Sequence, residues 1–146
     1  MKDFTALFVD DEADSVRSMV RRMERRNIRA IGVGSGEEAI AILGKGDPPV
    51  DVVVLDDRMP GMGGIETLKT IRERNPMIEV IMLSGRARMD VAKAGMALGA
   101  FDYLMKPVDI DELMYKLQDA FSKKTIQEKK KRGKQSRHSQ GGDPTS

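Results

Sequence analysis

The sequence predicts an α/β fold in which five parallel β-strands alternate with five helices. Short apolar runs rich in β-branched and aromatic side chains recur along the first 105 of its 146 residues, as expected of strands. Segments with apolar side chains at helical spacing lie between these runs. The third and fourth runs are almost continuously apolar, which is typical of strands buried on both faces of a parallel sheet.

The apolar runs define the five strands in order. They occupy residues 6–9, 31–33, 52–55, 78 with 80–83, and 101–105. Five strand-helix units within about 120 residues predict helices on both faces of the sheet. The expected architecture is a flavodoxin-like, doubly wound, five-stranded parallel sheet with strand order 2-1-3-4-5. Its ligand crevice would lie at the carboxyl ends of strands one and three.

The helices are predicted from their apolar spacing and their end signals. Ser35 precedes Glu38 by three residues, the spacing of a capping box, and predicts the start of the second helix. Asp109 and Glu112 predict the start of the fifth in the same way, and Asn75-Pro76 ends the third. The expected core-facing positions are Val16, Met19, Val20 and Met23 in the first helix, Ile65, Leu68 and Ile71 in the third, Val91, Gly95 and Leu98 in the fourth, and Leu113, Leu117 and Phe121 in the fifth.

Composition excludes several classes of protein. There is no cysteine, so disulfides, thiolate metal sites and a cysteine nucleophile are excluded, and a reducing cytoplasm is the expected location. The longest uninterrupted apolar stretch, residues 39–43, has five residues, far below the roughly 18 needed to cross a bilayer. No secretory leader is recognisable, so neither secretion nor a membrane partner is expected.

The charge distribution divides the chain into two parts. Residues 1–122 hold 17 basic and 21 acidic side chains, a net charge of −4, whereas residues 123–146 hold eight and two, a net of +6. The only large aliphatic side chain in the second part is that of Ile126, so it has little apolar surface to bury. We therefore expect a folded domain over residues 1–122 and a basic, mostly disordered tail over residues 123–146.

Acidic residues follow the first and third predicted strands. Asp10-Asp11 and Asp56-Asp57 would meet at the crevice, because these two strands are neighbours in the expected order. Carboxylates held together repel one another and favour a bound cation. Oxygen ligands of this kind suit Mg²⁺. The alternative, that these residues are solvated turn formers, stays open from the spacing alone.

Two further polar residues end the remaining strands of the crevice. Ser84 follows the fourth strand and offers a hydroxyl donor, and Gly85 after it allows close backbone approach. Lys106 follows the fifth strand and offers a compact cation for a phosphoryl oxygen. Each has a structural alternative, as a turn serine or a surface lysine. Their joint position at strand ends favours a phosphate-handling site.

These segments together resemble the receiver domain of two-component response regulators, over roughly residues 3–121. The matching motifs are Phe8-Val-Asp-Asp-Glu12, Val52-Val-Val-Leu-Asp-Asp-Arg-Met-Pro-Gly-Met-Gly-Gly64, Met82-Leu-Ser-Gly85 and Gly99-Ala-Phe-Asp-Tyr-Leu-Met-Lys-Pro107. The resemblance implies a signalling switch rather than a metabolic enzyme. It would accept a phosphoryl group from a sensor histidine kinase or a histidine phosphotransfer protein.

The resemblance also implies roles for individual residues. Asp56 would be the phosphoacceptor, and Mg²⁺ would be held by Asp10, Asp11, Asp56 and the backbone carbonyl of Arg58. Ser84 and Lys106 would assist catalysis, and Ser84 and Tyr103 would form the switch. Phosphorylation would then alter the face made by helix four, strand five and helix five, which would bind a downstream protein.

Two departures from the family pattern stand beside the site. Asp57 follows the phosphoacceptor where the family usually has an apolar or neutral residue, and an inward-facing Asp57 would crowd the ion. Met62-Gly63-Gly64 replaces the common Met-Asp-Gly, which removes a side chain that often brackets the third helix.

Three alternative functions are weaker. A phosphohydrolase of the haloacid dehalogenase type needs an aspartate two residues after its nucleophile, where this chain has Arg58. The glycines of residues 32–36 do not match the dinucleotide-binding pattern G-x-G-x-x-G. The basic tail lacks interleaved aromatic residues, so specific nucleic-acid binding is not expected.

Overall fold

The computed structural model describes residues 4–59, 61–85 and 88–139. Five parallel strands form one sheet in the order β2-β1-β3-β4-β5, flanked by five helices, so the predicted fold class and strand order are confirmed. The strands are β1 (Thr5–Val9), β2 (Arg29–Val33), β3 (Val52–Asp56), β4 (Glu79–Ser84) and β5 (Asp102–Met105). The helices are α1 (Ala13–Arg25), α2 (Gly36–Lys45), α3 (Gly64–Arg74), α4 (Met89–Ala97) and α5 (Ile110–Ser139).

Side chains of the central strand β3 alternate between two separate core layers. Val53 and Leu55 pack with residues of α2 and α3, whereas Val52 and Val54 pack with residues of α1 and α5. Successive side chains of a strand point to opposite faces of its sheet. Asp56, the last residue of β3, and Asp57, which follows it, are therefore directed to opposite faces.

The end signals of the helices act as the sequence predicts. The Ser35 hydroxyl accepts a hydrogen bond from the Glu38 backbone N–H at 3.1 Å, and the Glu38 carboxylate accepts from the Gly34 N–H at 2.9 Å. The Asp109 carboxylate accepts from the Glu112 N–H at 3.2 Å. These contacts satisfy donors that a helix leaves unpaired at its first turn.

The fourth helix differs from its prediction at one position. Ala92 and Gly95 are fully buried or nearly so, but Leu98 is 39% exposed. Leu98 is the residue after the last turn of α4, where the helical spacing no longer fixes the direction of the side chain. The predicted inward position of Leu98 is therefore wrong.

The prediction of a mostly disordered tail from residue 123 is wrong over residues 123–139, because α5 continues as one helix through Ser139, and residues 140–146 lie outside the described part of the chain. Residues 123–132 are mostly lysine, arginine, glutamate and glutamine, which are good helix formers. Extending an existing helix also avoids the cost of nucleation. Helix propensity and the avoided nucleation cost therefore maintain helix in a segment that has little apolar surface to bury.

Contacts at the amino ends of the strands also hold the start of this extension. Lys124 is 8% exposed, and its Nζ lies 2.9 Å from both Asp51 Oδ1 and Glu128 Oε2. The Phe4 and Phe121 rings stack with centroids 5.0 Å apart, which joins the segment before β1 to α5. The first turns beyond residue 122 therefore pack on the domain.

None of the helices in the described part of the chain is both long and apolar enough to span a membrane.

Candidate functional site

Three carboxylates converge where β1 and β3 end. The parallel register pairs Val9 with Leu55, so Asp10 and Asp56, the next residues of each strand, lie level with one another. Carboxylate oxygens of Asp10, Asp11 and Asp56 all lie within 4.8 Å of one another. Asp56 is buried, Asp10 is half-buried and Asp11 is exposed, so the cluster reaches from the sheet to the surface.

The cluster carries an electrostatic cost that a cation would relieve. Burial raises the pKa of Asp10 above its ordinary value of 3.8, a hydrogen bond from the Glu12 backbone N–H opposes this, and the nearby Asp56 charge raises it further. The raised pKa means that the environment disfavours the ionised form. Three carboxylates on one rim therefore fit a hard divalent cation with oxygen ligands, such as Mg²⁺.

Lys106 supplies the positive charge nearest to Asp56. Its ammonium group donates a hydrogen bond to Asp56 Oδ1 at 2.6 Å, from the residue directly after β5. Burial lowers the pKa of Lys106, but the hydrogen bond and charge of Asp56 outweigh it, and the net shift is upward from 10.5. Lys106 therefore stays protonated at neutral pH and orients a carboxylate whose side chain is only 4% exposed.

Ser84 ends β4 beside these groups. It is fully buried, and its hydroxyl has no hydrogen-bond partner among the residues that the structure describes. A buried hydroxyl without a partner is unfavourable, so such groups are informative about missing ligands. The Lys106 backbone N–H donates to the Ser84 carbonyl at 2.9 Å, which ties the ends of β4 and β5 together.

Asp57 does not crowd the ion site. Its side chain, 1% exposed, leaves the opposite face of the sheet and accepts a hydrogen bond from Arg88 Nε at 3.0 Å. Strand alternation could have predicted the direction of Asp57 from the sequence. Arg88 lies 31 residues away and carries no local signal, so the sequence analysis missed this partner.

The two glycines at the start of α3 differ in what surrounds them. A Cβ atom on Gly64 would lie 2.6 Å from Asp57 Cα and 2.8 Å from the Asp56 carbonyl oxygen. A Cβ atom on Gly63 would have no heavy atom within 4 Å. Gly64 therefore allows the first turn of α3 to pack directly on the backbone of the site.

The other predicted residues lie near the site without a demonstrated role. Tyr103 is half-buried in β5 and packs against the core layer of α2 and α3. Arg58 follows Asp57 with an exposed side chain, and its backbone carbonyl as an ion ligand stays a prediction. The switch role of Tyr103 likewise stays a prediction.

A cleft leads away from the site along α1. It has a volume of about 640 Å³ and is bordered by Asp10 and Lys106 at one end and by Met19 and Arg22 of α1 at the other. Its floor includes Val54 and other apolar core residues. Of the three clustered carboxylates, only that of Asp10 lines this cleft.

Comparison with known proteins gives a family match across most of the chain. A family model described as the response regulator receiver domain matches residues 6–118. The DNA-binding transcriptional regulator NtrC of Salmonella typhimurium is 37% identical over 117 residues, which cover 80% of this chain and 24% of that protein. The probable transcriptional regulatory protein TcrX of Mycobacterium tuberculosis is 40% identical over 116 residues, covering 77% of this chain and 47% of TcrX.

A solved structure agrees. The crystal structure of a response regulator receiver domain protein from Clostridium thermocellum superimposes with a TM-score of 0.81 at 29% identity. The match covers 84% of this chain and 98% of that one. This chain thus spans about a quarter of the NtrC relative but nearly all of an isolated domain.

Proposed function

This chain belongs to the response regulator receiver family, and from that membership we propose that Asp56 accepts a phosphoryl group from a phosphohistidine and thereby switches the domain. One observation carries the assignment to Asp56. Its buried carboxylate is the only one of the clustered acids that both joins the three-carboxylate group and accepts a hydrogen bond from Lys106, within the described residues.

The proposed transfer is a nucleophilic substitution at phosphorus. A carboxylate oxygen of Asp56 forms a bond to phosphorus, the bond from phosphorus to the donor imidazole nitrogen breaks, and the imidazole leaves with that electron pair. Lys106 holds Asp56 in position and is close enough to contact an oxygen of the transferred group. Water later hydrolyses the acyl phosphate, so the domain promotes both its own phosphorylation and its dephosphorylation.

The residues of the acidic cluster fit a role in holding Mg²⁺. Asp10, Asp11 and Asp56 would be its carboxylate ligands, together with the backbone carbonyl of Arg58. Bound Mg²⁺ supplies positive charge that offsets the charge of the phosphoryl oxygens. The Ser84 hydroxyl, which has no hydrogen-bond partner within the described ranges, supports the same model, because a phosphoryl oxygen on Asp56 would give it an acceptor.

The switch is proposed to run from Ser84 to Tyr103. A hydrogen bond from Ser84 to the phosphoryl group would shift the segment after β4 and leave space for Tyr103 to turn inward. The face formed by α4, β5 and α5 would change and bind a downstream protein. The domain over residues 1–122, its cytoplasmic location, and a sensor kinase or histidine phosphotransfer protein as donor remain parts of this proposal.

The decisive experiment is chemical phosphorylation followed by intact-mass measurement. The chain is incubated with acetyl phosphate or phosphoramidate, with Mg²⁺ or with excess chelator. We expect one added phosphoryl group in the wild type and in Asp57→Asn, and none in Asp56→Asn or with chelator. Asp57→Asn is a matched control, because it removes the adjacent acid, which faces the other way. Full labelling of Asp56→Asn would refute the assignment.

A further inference from the structure

The ion pair of Asp57 and Arg88 has one fully buried member. Asp57 Oδ2 accepts from Arg88 Nε at 3.0 Å, and the two side chains are 1% and 34% exposed, respectively. Removing Arg88 would leave the buried Asp57 charge without compensation, which is strongly unfavourable, whereas removing Asp57 would leave a partly exposed guanidinium. The pair therefore holds the start of α4 firmly against the end of β3.

Arg88 is also connected to the catalytic hydroxyl through the backbone. Its N–H donates to the Gly85 carbonyl at 3.0 Å, and Gly85 directly follows Ser84. Fixing Arg88 against Asp57 therefore restricts the movement of Gly85 and of Ser84 before it.

The restriction acts on the opposite side of the sheet from the phosphoacceptor. Asp57 lies among residues of α3 and the start of α4, whereas Asp56 contacts Lys106 and belongs to the acidic cluster. A phosphoryl group on Asp56 would draw the Ser84 hydroxyl toward itself, and hence draw Gly85 and its hydrogen-bonded partner Arg88 away from Asp57.

We propose that the Asp57–Arg88 ion pair is a restraint that holds Ser84 in its resting position and opposes the phosphorylated arrangement. This inference rests on the proposed phosphoacceptor role of Asp56. A contact made in one state and lost in the other shifts the equilibrium by its own free energy. Breaking the pair therefore favours the arrangement in which Ser84 contacts the phosphoryl group.

The test measures binding of beryllium fluoride, an acyl-phosphate analogue, to the full chain in excess Mg²⁺. We expect both Asp57→Asn and Arg88→Gln to bind it more tightly than the wild type, by roughly 5-fold or more, the lower range of typical coupling between sites. The two substitutions change the local charge in opposite directions. A simple field effect on an anionic ligand would therefore tighten one variant and weaken the other.

Melting temperature provides the second readout. Both variants should melt lower than the wild type while binding the analogue more tightly, whereas general damage would weaken both properties. Glu73→Gln and Arg74→Gln remove exposed charges from α3 and serve as controls. They should change neither the melting temperature nor the affinity for the analogue. Should a single variant not fold, the double variant Asp57→Asn/Arg88→Gln leaves no unpaired charge, and it should also bind more tightly.

Two results would overturn the restraint alone: opposite shifts in the two single variants, or unchanged or weaker binding in both. A wild-type chain that does not bind the analogue, or an Asp56→Asn variant that binds it equally well, would overturn the proposed phosphoacceptor and the restraint with it. The outcomes therefore separate the two proposals.

Discussion

Replacing Gly64 with alanine tests how closely the third helix must approach the site. The added Cβ would lie 2.6 Å from Asp57 Cα and 2.8 Å from the Asp56 carbonyl oxygen. Both neighbours are backbone atoms, so neither can rotate aside as a flexible side chain would. Relief requires α3 to move from β3 by about 0.8 Å, the difference between 2.6 Å and the 3.4 Å at which ordinary contact begins.

The size of the effect follows from two opposing contributions. Forcing a methyl group into a packed site costs about 1–3 kcal/mol. Replacing glycine with alanine returns about 0.4–1 kcal/mol through the unfolded chain. We expect Gly64→Ala to lower the free energy of unfolding by roughly 1–2 kcal/mol and the melting temperature by roughly 3–7 °C. Labelling of Asp56 should also slow, because its carbonyl oxygen is one of the atoms against which the added methyl group presses.

Gly63→Ala is the matched control. No heavy atom lies within 4 Å of its added Cβ, and its φ of −72° suits alanine. Alanine is a poorer N-cap than glycine, but the gain through the unfolded chain offsets this, so the net change should stay within about 0.5 kcal/mol. Thermal melts and acetyl-phosphate labelling of both variants measure the difference. Equal melting temperatures for the two variants would refute the steric argument.

Two further predictions concern charged groups. The pKa of Asp10 is raised in the folded protein, so its contribution to stability is fully present below pH 3.8 and is lost as pH rises through the raised pKa. At neutral pH the ionised Asp10 therefore destabilises the metal-free fold, and Asp10→Asn should melt higher than the wild type. Mg²⁺ at a hundredfold excess over Kd should raise the free energy of unfolding of the wild type by about 2.7 kcal/mol, and Asp10→Asn should lose much of this increase. An equal increase in the variant would contradict a ligand role for Asp10. Lys124→Met should lower the free energy of unfolding by about 1–2 kcal/mol, because it removes charged hydrogen bonds to Asp51 and Glu128. Thermal melts should show no change for the exposed control Lys129→Met. Burial lowers the pKa of Lys124, but its hydrogen bonds to Glu128 and Asp51 outweigh this effect, and the net shift is upward from 10.5. The contribution of Lys124 to stability should therefore persist below pH 10.5 and fade only as pH rises further. A Lys124→Met variant that melts at the same temperature as the wild type at neutral pH would contradict this contribution.

The sequence predicts those features that depend on strand order and strand ends. Asp10, Asp56 and Lys106 converge because their strands are parallel and close together in the sheet, and apolar runs and helix caps are local signals. The partner of Asp57 is not predictable in this way, since the pair joins the end of β3 to the start of α4 through space. The continued α5 depends on a helix already docked on the sheet, which composition alone does not report.

The stacked rings of Phe4 and Phe121 determine how the domain can be joined to other proteins. They bring the start of the first strand and the first half of α5 together, with ring centroids 5.0 Å apart. The strands point their carboxyl ends, and so the acidic cluster, in the opposite direction. A segment fused before Phe4 thus begins on the side of the sheet away from Asp56, and so does not obstruct the carboxylate that is proposed to accept the phosphoryl group.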